Sequence, residues 1–565
     1  MPNFVITPKV DDTQEFIEIS NDFADPLDLV REAISNAFDA KATKIKICFD
    51  VVKQYGESVL QIAIEDNGGG MDRDGLQAFF DLGNSLRRDD PAAIGKKGHG
   101  TKVYFNSSRI AVTTTANGNT LNAVMQDPFR KLFDRQIPTV DVSTANTPDV
   151  PSGTKILIFG YNNNRRELFT HARLKDHIMW FTKFGSFERE IGIKSLADVT
   201  IELTGLDREQ PETLCFGHHF PPDSHGIEKL FGEYLVDAPK YYCKKVIKEG
   251  HLANFPETKY QAIFAIEGNK VKQDNNPMLR RHGYTPPDGA YTVQDRYGLW
   301  LCKDFIPVQR ANDWIGTRGT EYTRFHGFFN CQEFRLTANR GSVNNTPAEI
   351  MKDVQHEIES IYSEISDSTE WKDMDWLESQ AEAFRTTDKE RKDFLWRKQK
   401  LNQSNITTYK GHLLVQPTHE SGVYGILLKL CTINSAIFPF DIVDYNTHTG
   451  IDVIVRPDRS APIHLSKLYY VELKYILSRE LNHSFDNTHS IVCWDTVVKH
   501  GDSITDINNE TRMMRIVAAA GKGDYTKYFL DNPSKPHKIE VYVLKDFLKE
   551  KYNIEFRPRT EEETV

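Results

Sequence analysis

Residues 57–71, ESVLQIAIEDNGGGM, constrain the fold more than any other stretch. The run VLQIAIE reads as a strand and passes without a spacer into Asp66-Asn67-Gly68-Gly69-Gly70-Met71. Three consecutive glycines after a strand mark backbone that turns sharply or passes very close to something else. A plain turn rarely needs so many. Upstream, KIKICFD alternates apolar residues at Ile45, Ile47 and Phe49 and reads as a second strand. Before it, LVREAISNAFDAKAT reads as a helix opened by Asp25 as N-cap and Pro26 at the first helical position. At about 100° per residue, Glu32, Asn36 and Asp39 share one stripe with Ser35 beside them, and Val30, Ala33, Ile34 and Ala37 lie opposite. Taken alone, such a stripe is a solvated helix face.

A third element, IGKKGHGTKVYF, spaces Gly95, Gly98 and Gly100 as G-x-x-G-x-G. A dinucleotide-binding fingerprint would follow a strand, whereas the polar loop DDPAA precedes this one. No glycine-lysine-serine/threonine ending makes it a Walker loop. Glycines leading into a helix nevertheless expose backbone N–H groups to an anion, and Lys102 sits one turn in, within reach of a phosphate.

In this order, Glu32-x-x-x-Asn36-x-x-Asp39, Asp66-Asn67-Gly68-Gly69-Gly70-Met71, the glycine loop and Ser152-Gly153-Thr154 resemble the GHKL ATPases. That group includes gyrase, MutL, the large heat-shock chaperones, sensor histidine kinases and MORC proteins. The resemblance covers residues 20–160, and GKKGHGTK is closest to the MORC form, from which His99 departs. It implies a Bergerat α/β sandwich that binds ATP and Mg²⁺. Glu32 would then be the general base acting on the attacking water, a role that suits a carboxylate beside the γ-phosphate. Asn36 would hold Mg²⁺ through its amide oxygen, and Asp39 would support the site. Asp66 would accept from the exocyclic amine of adenine, which guanine lacks at that position. Gly68, Gly70 and Met71 would pass close to the base, and Thr154 would hold adenine and its water. Residues 81–102, with Gly95, Gly98, His99, Gly100, Thr101 and Lys102, would form a lid over the phosphates.

At 565 residues the chain exceeds one hydrophobic core and implies three or four domains. We expect an α+β and α/β multidomain protein: a GHKL domain over 1–195, a transducer-like α+β domain over 196–345, a helical linker over 346–404 and a restriction-endonuclease-like α/β domain over 405–565. The net charge of −10 excludes a generally basic nucleic-acid binder but leaves room for a local basic surface. Seven scattered cysteines with no C-x-x-C pair point to a reducing cytosol, without a disulfide framework or cysteine-based zinc site. MPNFVITPKVDD lacks a signal-peptide pattern, and Lys429 interrupts the most apolar run, so a cytoplasmic protein without a membrane span is expected.

In the middle of the chain ADVTIELTG, YQAIFAIEG and YGLWLCKDFIPV read as strands of the transducer-like domain. GHKL proteins pass nucleotide state to such a neighbour, which donates a basic residue to the γ-phosphate. RLTANRGSVNN offers Arg340 for that position, although a local cap or pair would equally use an arginine. Residues 389–400 carry six basic side chains against two acidic ones, which suits a solvated helix face or a DNA-contacting arm.

Beyond residue 405, THESGVYGILLKLCTI reads as a helix, FDIVDYNTHTGIDVIVRP as strands around a turn, and LYYVELKYIL and SIVCWDTVV as further strands. Alternation in VELKY places Glu472 and Lys474 on one face with Leu473 on the other. Two charges on one strand face are costly to bury unless they bind something. Asp452, Glu472 and Lys474 resemble the PD-(D/E)xK nuclease core, with Glu420 matching an extra acidic residue of many members. The proline before the first aspartate is replaced by Ile451. The resemblance implies that Asp452, Glu472 and the Leu473 carbonyl hold Mg²⁺ and that Lys474 positions the attacking water. Asn482, His483, Asp486 and His489 would form a polar rim.

The combined reading is an ATP-dependent homodimer, with residues 1–20 as a strap, in which lid closure gates DNA cleavage. The resemblance to prokaryotic defence proteins suggests phage or plasmid DNA as partner, with room for a partner subunit. Two alternatives stay open: a MORC- or MutL-like clamp that does not cut, and an ATP-driven chaperone.

Overall fold

The computed structural model describes the chain except residues 1–9, 22, 24, 55, 85–93, 95–97, 99, 194–197, 316–318, 338–339, 447–451, 458 and 560–565. It divides into two compact units, residues 1–386 and 387–565.

The first unit opens with an eight-stranded sheet, ordered β5-β4-β3-β6-β2-β1-β7-β8. Its strands are β1 (Lys44–Gln54), β2 (Glu57–Asp66), β3 (Arg109–Ala116), β4 (Asn119–Gln126), β5 (Val140–Asn146), β6 (Gly153–Phe159), β7 (Thr200–Thr204) and β8 (Glu212–Cys215). Ile45, Ile47 and Phe49 of β1 and Leu60, Ile62 and Ile64 of β2 turn inward. Helices α1 (Asp12–Asn21), α2 (Asp28–Asp39) and α3 (Arg73–Phe80), together with the helix His171–Phe181, accompany the sheet. Leu29, Val30, Ala33, Ile34 and Ala37 of α2 enter the same core, as the period-3.6 stripe requires. The opposite face of the sheet carries exposed ion pairs between strands, Lys46–Glu202 at 3.0 Å and Lys155–Glu65 at 3.4 Å. The result is an α/β sandwich with one wet sheet face.

Two expectations are corrected in this unit. Helix α2 starts at Asp28, because Asp25, Pro26 and Leu27 form a turn in which the Asp28 N–H donates to Asp25 O at 2.9 Å. ADVTIELTG belongs to the first sheet: β7 pairs parallel with β1, Lys44 facing Thr200, so the sheet continues past residue 195. Helix α1 falls, but for Asn21, within residues 1–20, the expected strap, and its Phe16 stacks on Phe105 at 5.6 Å.

The second module is a five-stranded sheet, ordered β12-β11-β13-β10-β9. It comprises β9 (Cys243–His251), β10 (Lys259–Glu267), β11 (Gly298–Lys303), β12 (Ile306–Arg310) and β13 (Phe325–Cys331). The expected helical linker is largely part of this module. Val354, Ile358, Ile361 and Ile365 of the helix Ala348–Ser366, and Trp371, Met374 and Leu377 of the helix Thr369–Asn402, complete its core. Where the two modules meet, Trp180 and Phe187 pack on Phe328, with ring centroids 5.9 and 5.7 Å apart, and Phe181 meets Trp300 at 5.3 Å. Trp180 also faces His218 at 4.8 Å and His326 at 5.3 Å.

The second unit contains a hairpin, β14 (Ile406–Tyr409) with β15 (His412–Val415), and an eight-stranded sheet. That sheet is ordered β16-β17-β18-β19-β23-β22-β21-β20. Its strands are β16 (Asp441–Tyr445), β17 (Val453–Arg456), β18 (Tyr469–Leu477), β19 (Thr488–Thr496), β20 (Ser503–Thr505), β21 (Thr511–Val517), β22 (Lys527–Asp531) and β23 (Ile539–Val543). Central β18, β19 and β23 run parallel, flanked by antiparallel pairs. The helices Glu420–Ile433 and Leu544–Tyr552 contribute Val423, Leu427, Leu430, Phe547 and Leu548 to its core. No helix among the described residues is long and apolar enough to cross a membrane.

Candidate functional site

The glycine run after β2 is stitched from three sides. Asn67 Oδ1 accepts from the N–H groups of Thr43 and Lys44 at 2.9 and 2.8 Å, and the Gly69 N–H donates to Ala40 O at the end of α2. The Gly68 N–H donates to Asp66 Oδ1 at 2.8 Å, orienting that carboxylate. Burial raises the Asp66 pKa, and the Gly68 N–H partly opposes the rise. Gly70 has φ +70, and a Cβ there would lie 2.0 Å from Thr115 O, so no other residue fits without moving β3. The Met71 N–H donates to Thr114 Oγ1 at 2.7 Å, and Thr114 Oγ1 lies 3.1 Å from Thr154 Oγ1. Because Asp66 pairs with Thr154 and Thr154 with Thr114 in register, the three polar side chains form a row across β2, β6 and β3. Asp72 then caps α3 by accepting from the Gly75 N–H at 2.8 Å.

Helix α2 carries Glu32, only 2 % exposed. Its Oε1 lies 3.4 Å from Arg340 Nη1 and 4.0 Å from Arg31 Nε. Gly100 leaves room for this carboxylate: a Cβ there would sit 1.8 Å from Glu32 Oε2 and push the side chain aside. Arg340 comes from the second module, and its Nη2 donates to Ile94 O at 3.0 Å while the Ile94 N–H donates to Asp39 Oδ1 at 2.9 Å. Glu32, Asp39, Ile94 and Arg340 therefore form one contiguous polar set. Asn36 Nδ2 is interior and has no hydrogen-bond partner among the described residues. An amide that can turn its oxygen to the same place suits a hard cation such as Mg²⁺.

Residues 27–146 match the family model described as histidine kinase-, DNA gyrase B- and HSP90-like ATPase. This stretch, which holds β1 to β5 of the first sheet, is therefore similar to the GHKL ATPases. This supports an ATP-binding, ATPase role for the GHKL-like module. No curated protein matches the chain.

Not every expected residue of the GHKL-like module faces the nucleotide side. Lys102 was expected to reach a phosphate, but its fully buried Nζ donates to Phe79 O at 2.9 Å and to Thr101 Oγ1 at 2.7 Å. Thr101 Oγ1 also donates to Phe79 O, at 2.7 Å. Both cap the last turn of α3, where carbonyls lack helical partners. Burial lowers the Lys102 pKa to about 7. The glycine loop leads into a 3-10 helix, Gly100–Phe105, whose tighter winding directs Lys102 inward. Gly98, at φ +67, passes beside the Asn84 backbone. Gly95 and His99 lie outside the described residues, as does most of the expected lid. Ser35, beside the stripe of Glu32, Asn36 and Asp39, is spent locally, donating to Arg31 O at 2.9 Å. Sequence reasoning missed Thr114 and Asn67. Asn67 stands inside a quoted motif, whereas Thr114 belongs to an ordinary strand and carries no motif signal.

In the second unit, β18 brings Glu472 and Lys474 onto one face, with Lys474 Nζ 2.7 Å from Glu472 Oε1. Lys474 Nζ also lies 3.3 Å from Glu420 Oε2 and donates to Leu473 O at 2.9 Å. Asp452 Oδ2 accepts from the Leu473 N–H at 2.8 Å, holding the carboxylate beside β18. His483 Nε2 reaches to 3.7 Å from Glu472 Oε1. Burial raises the pKa of Asp452, against the Leu473 N–H and Lys474, and likewise that of Glu472, against Lys474. Lys474 is raised: burial opposes its charge, but Glu472 and Glu420 outweigh it. Glu472 Oε2 is buried without a hydrogen-bond partner among the described residues, an orphan acceptor that a cation would satisfy. Among those residues no group of three or more His, Cys, Asp or Glu is gathered as a metal site. Ile451 lies outside the described residues.

Proposed function

We propose that the chain is an ATP-operated enzyme that hydrolyses DNA phosphodiester bonds. The observation that carries this reading is the cluster on β18, in which Glu420, Glu472 and Lys474 share one polar contact with Asp452 held alongside. A buried acidic residue with a spare oxygen beside an ammonium group is the donor set of a hydrolytic phosphoryl-transfer site. Asp452, Glu472 and the Leu473 carbonyl would hold Mg²⁺, which when bound supplies a Lewis acid for the phosphate. Lys474, already fixed between two carboxylates, orients the water that attacks phosphorus. In the GHKL-like module Asp66 and Thr154 hold adenine, Asn36 would hold Mg²⁺, and Glu32 takes the proton of the water attacking the γ-phosphate. Arg340 neutralises charge at that end of the site, and nucleotide-dependent pairing of two chains gates cleavage.

The test is supercoiled plasmid with Mg²⁺, with and without ATP, using the full chain and Lys474→Ala. Nicking that requires ATP and disappears in Lys474→Ala is the expected result. An ATP-operated clamp that does not cut is the second reading, favoured by the absence of a gathered metal-ligand group among the described residues. DNA retention without nicking in either protein would select it.

A further inference from the structure

Within the second unit, the last turns of the helix Thr369–Asn402 form one wall of a groove of about 700 Å³. Trp396, Arg397 and Lys400 line that wall, and Gly422, Gly425 and Lys429 line the helix opposite. The residues at 396, 397 and 400 share a helix face by their spacing, so both cations and the indole address the groove together. These cations end a stretch, residues 389–400, holding six basic and two acidic residues in a chain of net charge −10, in which Lys392 is paired with Asp388 at 2.7 Å. Trp396 is 59 % exposed and Phe394 67 %, an unusual place for large aromatic rings on a charged helix. Lys400 Nζ lies 5.1 Å from the centre of the Trp396 ring, leaving the charge and the ring side by side. At Gly425 a side chain would meet nothing within 4 Å, so the far wall is open backbone. The groove also reaches His419, immediately before Glu420, whose carboxylate pairs with Lys474.

We propose that this groove binds a single strand of DNA and leads it to the Glu420–Lys474 cluster. The occupant follows from complementarity. Clustered cations on an otherwise acidic protein match a phosphate backbone, and the exposed Trp396 ring among them matches an unstacked base. A duplex hides its base faces and would leave Trp396 without a partner. The proposal rests on the nuclease reading for where the strand goes, but not for whether it binds.

The experiment uses the full chain, a fluorescein-labelled oligothymidylate, EDTA and no ATP, with binding read by anisotropy. Arg397→Glu with Lys400→Glu should weaken binding by about tenfold or more and flatten the salt dependence. Trp396→Ala should weaken it several-fold through lost stacking, on the order of fivefold. Gly425→Glu puts a carboxylate in open space on a helix, where glycine is the poorer former, and should weaken binding with folding intact. Unchanged affinity in the charge-reversed protein overturns the proposal, as does duplex DNA or oligouridylate displacing the probe more effectively than unlabelled oligothymidylate. Plasmid nicking that survives with unchanged oligonucleotide binding removes the groove and keeps the nuclease. Groove-dependent binding without nicking does the reverse.

Discussion

Arg340 of the second module reaches 3.4 Å from Glu32 of the first, across more than three hundred residues of chain. The contact makes the candidate general base and the candidate γ-phosphate sensor one electrostatic unit. Glu32→Gln should bind a fluorescent ATP analogue normally and lose turnover by about a hundredfold or more, the usual share of a general base. Arg340→Ala should lower kcat as well. Combined, the two changes should cost less than the product of the single losses, because each disrupts the same pair. Full turnover by Glu32→Gln would remove Glu32 from that role.

Gly100→Ala tests the close approach to Glu32. The new methyl would overlap Glu32 Oε2, so the carboxylate must rotate away. ATP hydrolysis should fall by about tenfold or more through misplacement alone. Circular dichroism should stay unchanged.

Lys102 predicts a pH dependence of stability. Its folded pKa is about 7 and its unfolded pKa the ordinary lysine value, so between them the unfolded chain holds more protons. Stability should therefore rise with pH from about 7 to 10.5, with a limiting slope of roughly 1.4 kcal/mol per unit. Below pH 7 the full cost of burying the charge is present. Lys102→Met should remove this component, measured as the difference between wild-type and variant denaturation midpoints across pH. Identical profiles would place the Lys102 pKa near its ordinary value.

Leu377 is fully buried in the core of the second module. Leu377→Ala should cost about 2–5 kcal/mol, as cavity-forming core substitutions do. A helix that merely linked domains would lose far less, and urea unfolding distinguishes the two.

The geometry of the candidate nucleotide site was partly legible because glycine and acidic residues face steep local constraints. Gly70 tolerates no side chain, and Asp66 must end its strand beside Thr154, so a short motif carries both. Alternation alone placed Glu472 and Lys474 together. Direction and partnership were less legible. Spacing set how far Lys102 could reach, but the 3-10 winding after Gly100 decided which way it points. The period of Val354, Ile358, Ile361 and Ile365 announces an apolar stripe without naming the sheet that covers it. Likewise β7 finds its partner β1 more than a hundred and fifty residues upstream, a long-range pairing that no local pattern encodes.

The aromatic seam between the two modules has an optical consequence. Trp180 is buried there, with the His218 and His326 rings beside it and the Arg296 guanidinium 4.7 Å from its ring centre. An indole so crowded by polarisable and cationic neighbours emits with an intensity and wavelength set by their distance. The seam thus contains its own fluorophore: the part of the tryptophan emission abolished by Trp180→Phe reports, without any label, how the two sheets sit against each other as nucleotide is added.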